Sequence, residues 1–246
     1  METIKAEAAA YWTRRAGQFA SLRLAELDSG KRRLWTEELL RYLPKGRSLR
    51  VLDVGTGSGF FAVLLAALGH QVTGIDLTEK MIEAARNTVQ GLGLEADLRV
   101  MDAERPDFPD RSFDVVVSRN LTWNLPHLEE AYAQWRRVLK PGGLLLNFDG
   151  DYCREKPLAQ QALPENHAHK AIGGDLAAAY EHLKTALEAG QQPRPAWDVE
   201  LLRAVGFRDV SVDTALSQRV YSQVDEFYNP TPMFAIRAVR DDTVEC

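Results

Sequence analysis

One glycine-rich segment, VLDVGTGSGF at residues 51–60, constrains the fold of this chain more than any other feature. Its first residues are apolar, as in a strand that is buried on both faces of a parallel sheet. Gly55, Gly57 and Gly59 follow, and glycines allow a tight turn and a close approach of the backbone to a ligand. The next apolar residues begin a helix, whose first amide groups have no partner inside the helix. The segment therefore predicts a strand, a ligand-binding turn and a helix.

The spacing of these glycines separates two kinds of cofactor. A turn that binds the pyrophosphate of a dinucleotide has glycines at its first, third and sixth positions, whereas the sixth position from Gly55 is Phe60. Pyrophosphate binding is therefore disfavoured. The pattern of Asp53 followed by glycines at alternate positions resembles the first motif of the class I methyltransferases that use S-adenosylmethionine (SAM). That cofactor has an amino-acid tail in place of phosphates.

Later segments match the same family in the expected order. HQVTGIDLTEKM predicts a second strand that ends at Asp76, where an acidic side chain can accept hydrogen bonds from both ribose hydroxyls. A third strand precedes Asp102, and FDVVVSRN predicts a fourth strand. WRRVLKPGGLLLNFD then predicts a helix, a turn and a fifth strand. The resemblance is strong over roughly residues 48–150 and weakens on either side.

The resemblance implies a set of cofactor-binding residues. In the family, the acidic residue at the position of Asp102 accepts a hydrogen bond from the adenine amino group, and the next residue supplies a backbone amide. The amino-acid tail is expected at the glycine turn and the ribose at Asp76. Asp53 can also act by orienting the amides of the turn. The expected set is Asp53, Gly55, Thr56, Gly57, Gly59, Asp76, Leu77, Met81, Asp102, Ala103, Arg119 and Tyr11.

The alternation of strands and helices between residues 49 and 149 predicts an α/β fold with helices on both faces of a parallel sheet. Two late strands, RDVSVDT and MFAIRAVR, complete the seven strands of the class I family. We therefore predict a single class I methyltransferase domain over residues 1–246, with a Rossmann-like, doubly wound, mostly parallel sheet. It divides into an N-terminal helical cap (1–47), a SAM-binding core (48–150), a lid insertion after the fifth strand (151–192) and a C-terminal part of the sheet (193–246).

The cap and the lid are expected to enclose a methyl acceptor. Helices are predicted over residues 6–27 and 31–43 in the cap and over residues 175–190 in the lid. Methyl transfer depends on alignment and on exclusion of water more than on a particular catalytic group. No catalytic residue is therefore assigned, and Asp149, Tyr152 and Trp123 are candidates for one. The expected substrate-binding residues are Trp12, Asn120, Trp123, Asn124, Asp149, Tyr152 and Tyr221.

The segment after the fourth strand bears on the kind of acceptor. Family members that methylate adenine or glutamine amide groups carry Asn or Asp, two prolines and an aromatic residue there. SRNLTWNLPH, at residues 118–127, lacks that pattern. We therefore expect a small-molecule acceptor, methylated by in-line displacement in a reaction of the EC 2.1.1 type. Two alternatives stay open: methylation of tRNA or protein, and SAM binding without methyltransferase activity. The acceptor atom and the oligomeric state are not predicted.

Charge and composition limit other functions. The net charge of -5 disfavours nucleic-acid binding, which requires a clustered basic surface. The apolar runs are too short for a membrane span, and the N-terminal residues lack a signal-peptide pattern, so we expect a cytoplasmic protein. His167 and His169 with Glu165 could approach a metal, but a further well-placed ligand is missing and no metal site is predicted. Cys153 and Cys246 form no disulfide framework.

Overall fold

The computed structural model describes residues 2–156, 163–165, 167, 172–187 and 192–241. At its centre is a seven-stranded sheet, which contains β1 (Arg50–Val54), β2 (Gln71–Asp76), β3 (Asp97–Val100), β4 (Phe113–Arg119), β5 (Leu139–Gly150), β6 (Phe207–Asp213) and β7 (Met233–Arg240). The strand order is β3-β2-β1-β4-β5-β7-β6. Strands β1 to β5 pair in parallel, and β7 is antiparallel to both of its neighbours. The predicted Rossmann-like, mostly parallel sheet is confirmed.

Helices cover both faces of this sheet. Those of the described residues are α1 (Glu2–Leu27), α2 (Lys31–Tyr42), α3 (Phe60–Ala67), α4 (Glu79–Gly91), α5 (Leu128–Val138), α6 (Gly174–Ala186), α7 (Ala196–Ala204) and α8 (Leu216–Val220). Short 3₁₀ turns lie at Thr122–Asn124 and Tyr152–Arg154. No helix in these ranges is long and apolar enough to cross a membrane.

The two faces of the sheet carry separate apolar layers. Val115 and Val117 of β4 belong to the layer that includes residues of α2, α3 and α4, whereas Val116 belongs to the layer under α5 and α7. This division follows the two-residue period of a strand, in which successive side chains point to opposite faces. Burial on both faces explains why the strand sequences are almost continuously apolar.

Several boundaries differ from the predicted ones. The first helix begins at Glu2, four residues before its predicted start, and α2 ends at Tyr42. The predicted turn at residues 141–143 forms an irregular part of β5, because Leu139 pairs with Phe113 while Leu144 pairs with Val115. The lid helix α6 ends at Ala186, and the predicted end at residue 190 lies outside the described residues. Helix α8 was not predicted.

Candidate functional site

A cavity lies at the carboxyl ends of the parallel strands. Val54 of β1 pairs with Ile75 of β2 and with Ser118 of β4, so the residues that follow these strands meet at one edge of the sheet. Helices α1 and α6 contribute residues to the opposite wall, and most of the lining is apolar or aromatic. Ligands of open α/β sheets bind at this edge because the loops there diverge from the sheet.

The glycine turn is shaped by its backbone and by close neighbours. Gly55 and Gly57 line the cavity with positive φ angles of 66° and 54°. A Cβ atom on Gly55 would lie 2.7 Å from the Leu121 side chain, and one on Gly57 would lie 3.3 Å from Phe19 of α1. Gly59 is not among the residues that line the cavity, and its contact with the cofactor stays a prediction. It precedes α3, with a φ of 89°, and lies against Ala85.

Asp76, at the end of β2, connects its strand to the glycine turn. Its Oδ2 accepts a hydrogen bond from the Gly57 amide at 3.1 Å. Its Oδ1 accepts hydrogen bonds from the Thr78 amide at 3.0 Å and from the Thr78 hydroxyl at 2.9 Å. Burial raises the pKa of the Asp76 carboxyl above its usual value. These contacts fix the carboxyl group at the cavity wall, where it can accept further hydrogen bonds.

Asp102 also lies at the cavity, after β3. Its Oδ1 accepts a hydrogen bond from the Glu104 amide at 2.9 Å, and its Oδ2 forms an ion pair with Lys5 Nζ at 2.7 Å. Lys5 also pairs with Glu104, which is buried. Burial alone would lower the pKa of Lys5, but the two carboxylates raise it above its usual value. Lys5 was not predicted to lie at the site, because it precedes Asp102 by 97 residues.

Asp53 lies beneath the glycine turn. Its Oδ2 accepts a hydrogen bond from the Thr56 hydroxyl at 2.6 Å, which holds the turn against the end of β1. Burial raises the pKa of the Asp53 carboxyl to about 7. Both residues line the cavity, so Asp53 can orient the turn and place a titratable group near its amides.

Arg119 is the last residue of β4, and Glu26 of α1 neutralises its positive charge. Its Nη2 donates hydrogen bonds to Glu26 of α1 at 2.8 Å and to the Tyr221 hydroxyl at 2.9 Å. The guanidinium lies 4.3 Å from the ring centroid of Trp35. Burial alone would raise the pKa of Glu26, but Arg119 and Arg23 hold it below its usual value. This buried ion pair ties α1 to the sheet beside the glycine turn.

Aromatic side chains of α1, of α6 and of the turns after β4 and β5 form one wall of the cavity. Tyr180 of α6 lies 5.6 Å from Trp123 and 6.1 Å from Tyr11, measured between ring centroids. Trp123 is 5.8 Å from Tyr152. The Tyr152 hydroxyl donates a hydrogen bond to Asn120 Oδ1 at 2.9 Å. Burial raises the pKa of Tyr152 well above its usual value, so this phenol stays protonated near neutral pH.

Asp149 is a buried residue near the end of β5. It was expected to contact substrate, but its side chain is 0% exposed and is absent from the cavity wall. Its Oδ2 accepts hydrogen bonds from the Thr122 hydroxyl and from the Trp123 amide, the latter at 2.9 Å, and it pairs with Arg194 Nη1 at 3.2 Å. Burial raises its pKa. Asp149 therefore holds the turn that carries Trp123.

The other expected residues line the cavity together. They are Tyr11, Trp12, Asp53, Gly55, Thr56, Gly57, Asp76, Leu77, Met81, Asp102, Ala103, Arg119, Asn120, Trp123, Asn124, Tyr152 and Tyr221. His167 also lines it, with Nε2 2.7 Å from the Tyr228 carbonyl oxygen. His169 and Cys246 lie outside the described residues. Within the described part of the chain, no group of three or more His, Cys, Asp or Glu side chains could hold a metal ion.

Comparisons with known proteins identify the family of this chain. A family model described as a methyltransferase domain matches residues 52–147. The chain is 40% identical over 118 residues to a phosphatidylethanolamine N-methyltransferase of Cereibacter sphaeroides, which covers 46% of this chain and 56% of that protein. It is 34% identical over 191 residues to a demethylmenaquinone methyltransferase of Deinococcus radiodurans, which covers 74% of this chain and 76% of that protein. The chain thus spans little more than half the length of the first relative.

A solved structure shares the fold. The phosphoethanolamine N-methyltransferase 2 of Haemonchus contortus, in complex with S-adenosyl-L-methionine, matches with a TM-score of 0.59. The sequence identity is 20%, and the match covers 85% of this chain and 52% of that chain. At this level of identity the likeness supports the arrangement of the sheet and its helices.

Proposed function

This chain belongs to the class I methyltransferase family, and from that premise we propose that it binds SAM and transfers the methyl group to a small molecule. The observation that carries the proposal is the meeting of the glycine turn, Asp76 and Asp102 around one cavity. Three consecutive strand ends thus offer backbone amides, a buried carboxylate and a second carboxylate in the order that a nucleoside with an amino-acid tail requires.

The residues present fit such a cofactor. Amides at the start of α3, directly after the glycine turn, can receive the amino-acid tail. Asp76 keeps acceptor capacity beyond its bonds to the backbone and can hold ribose hydroxyls. Leu77 and Met81 can flank the adenine, with Asp102 as acceptor for its amino group. The bound cofactor supplies a methyl group that is already activated as a sulfonium.

The protein's own contribution is then alignment and exclusion of water. Trp123, Tyr152 and Tyr180 provide apolar surface beside the end of β4. Asn124 also lines the cavity, and its amide oxygen is buried without a hydrogen-bond partner in the described ranges. That oxygen can accept a hydrogen bond from an acceptor hydroxyl or amine. The contacts of Asp149 Oδ2 with Arg194 and with the Trp123 amide disfavour Asp149 as a base.

Calorimetric titration with S-adenosylhomocysteine tests the cofactor assignment. We expect micromolar binding by the parent protein and about a tenfold or larger loss in Asp76→Asn, since a hydrogen bond to a charged group contributes roughly 1.5–3 kcal/mol. Asp28→Asn is the matched control, because Asp28 is exposed at the end of α1 and its variant should bind as the parent does. Binding of NAD in place of S-adenosylhomocysteine would refute the assignment.

Formation of S-adenosylhomocysteine from SAM tests the transfer. The protein is incubated with labelled SAM and, separately, with a small-molecule extract, total RNA and a protein fraction. We expect label only in the small-molecule fraction. Label in RNA or protein would favour a macromolecular acceptor, and cofactor binding without transfer in any fraction would favour a SAM-binding protein that lacks this activity.

A further inference from the structure

Arg15 of α1 is buried, and no acidic side chain among the described residues neutralises its positive charge. Its residue is 4% exposed, and it lines the cavity. Its Nη1 donates a hydrogen bond to Gln18 Oε1 at 2.5 Å, whereas its Nε has no hydrogen-bond partner in the described parts of the chain. Among the described residues, no carboxylate forms an ion pair with it. Burying a charge without a partner is costly, so an arrangement of this kind indicates a binding site for an anion.

The other lysines and arginines at the cavity differ from Arg15 in this respect. Lys5 pairs with Asp102 and Glu104, while Arg119 and Arg23 both pair with Glu26. Burial lowers the pKa of Arg15, and Arg23 lowers it further, while the Tyr11 and Tyr180 hydroxyls partly offset these effects. An arginine keeps its charge even so. The positive charge at Arg15 is therefore available to a ligand.

The surroundings of Arg15 indicate which ligand carries the anion. Tyr11 precedes it by one helical turn on α1, and Tyr180 belongs to the lid helix. Ring contacts connect these two tyrosines with Trp123, which follows β4, and the three side chains form the aromatic wall. Amides at the start of α3 can serve the carboxylate of the cofactor tail. The anionic group that Arg15 binds therefore belongs to the methyl acceptor.

We propose that Arg15 binds a carboxylate or phosphate group of the methyl acceptor, and that the aromatic wall of Tyr11, Trp123 and Tyr180 holds the apolar part of that molecule. This assignment rests on the proposed function. It defines the acceptor class as small anionic compounds with an apolar body. Guanidinium groups bind both anions with two parallel hydrogen bonds, which fixes the orientation of the acceptor as well as its position.

Benzoate and benzamide provide a matched pair of probes, because they share a ring and differ in charge. Each is titrated calorimetrically into the protein with and without saturating S-adenosylhomocysteine. We expect the parent protein to bind benzoate roughly tenfold or more tightly than benzamide. Arg15→Gln should abolish that preference, and Arg15→Lys should retain part of it. Arg14→Gln is the control, because Arg14 is exposed on the same helix and its variant should keep the full preference.

Affinity for S-adenosylhomocysteine separates this inference from the proposed function. We expect Arg15→Gln to bind S-adenosylhomocysteine as the parent does. A loss of that affinity, with the preference for benzoate intact, would assign Arg15 to the cofactor carboxylate and overturn the inference. Equal binding of benzoate and benzamide by the parent would also overturn it. Failure of the parent to bind S-adenosylhomocysteine would instead refute the proposed function.

Discussion

At the scale of single residues, the carboxyl group of Asp53 is expected to make stability depend on pH. It is 2% exposed, and burial raises its pKa to about 7, whereas its pKa in an unfolded chain is about 3.9. Between these pH values the folded protein holds a proton that the unfolded chain has released. This group's contribution to the free energy of unfolding is therefore largest below about pH 4 and is lost as the pH rises through about 7.

Asp53→Asn removes that contribution. We expect the stability of the variant, relative to the parent, to rise by on the order of 2 kcal/mol between about pH 5 and about pH 8 in urea unfolding. Asp107→Asn is the control, since Asp107 is exposed and its difference from the parent should stay constant over the same range. A constant difference for Asp53→Asn as well would contradict the burial of an ionisable group at this position.

At the scale of elements, Arg194 joins the end of β5 to the start of α7. Its Nη1 pairs with Asp149 at 3.2 Å and its Nη2 with Asp198 at 2.6 Å, and all three side chains are 0% exposed. Its removal leaves two buried carboxylates without their cation. We expect Arg194→Met to lower the free energy of unfolding by about 3–5 kcal/mol, measured by urea unfolding.

An arginine on the surface of α7 provides the control for the Arg194 substitution. Arg203 of α7 is exposed, so Arg203→Met should change the free energy of unfolding by less than about 0.5 kcal/mol. Equal effects of the two substitutions would show that the Arg194 ion pairs contribute no more than a surface charge. A large effect confined to Arg194 would support Asp149 as a residue that holds the turn at Trp123.

At the scale of the whole molecule, α1 and the sheet edge form opposite walls of one cavity. Lys5, Arg15 and Phe19 line it from the helix, and the glycine turn lines it from the sheet. A ligand that fills the cavity contacts both walls and stabilises them together. We expect S-adenosylhomocysteine to slow amide hydrogen exchange in α1 as well as in residues 53–60, measured by mass spectrometry.

Strand β6 supplies the internal reference for that measurement. It lies at the far edge of the sheet and contributes nothing to the cavity wall, so its exchange should not change. Protection limited to the glycine turn, with α1 unaffected, would contradict closure of the cavity by the helix. Uniform slowing that includes β6 would indicate global stabilisation and would give no support to a shared site.

The sequence by itself determined the parts of this protein that depend on local order along the chain. Apolar runs with strand periodicity, glycines at alternate positions and acidic residues after strands predicted the sheet and most of the cavity wall. These signals could be interpreted from the sequence because parallel strands place their carboxyl ends at one edge of the sheet, independently of contacts between remote segments. Asp76 and Asp102 therefore came to the expected place.

Only the tertiary structure decided which charged side chains form ion pairs. Glu26 resembles an ordinary helix charge in the sequence, yet it pairs with Arg119 at a separation of 93 residues. Asp149 lies near the end of a strand, as a ligand-binding acid would, yet it is buried in an ion pair with Arg194. Arg15 resembles any other helix charge in the sequence, yet it is buried with no carboxylate partner among the described residues. The physical reason is that burial and ion pairing depend on distances between remote segments, which local pattern leaves undetermined until the chain has packed.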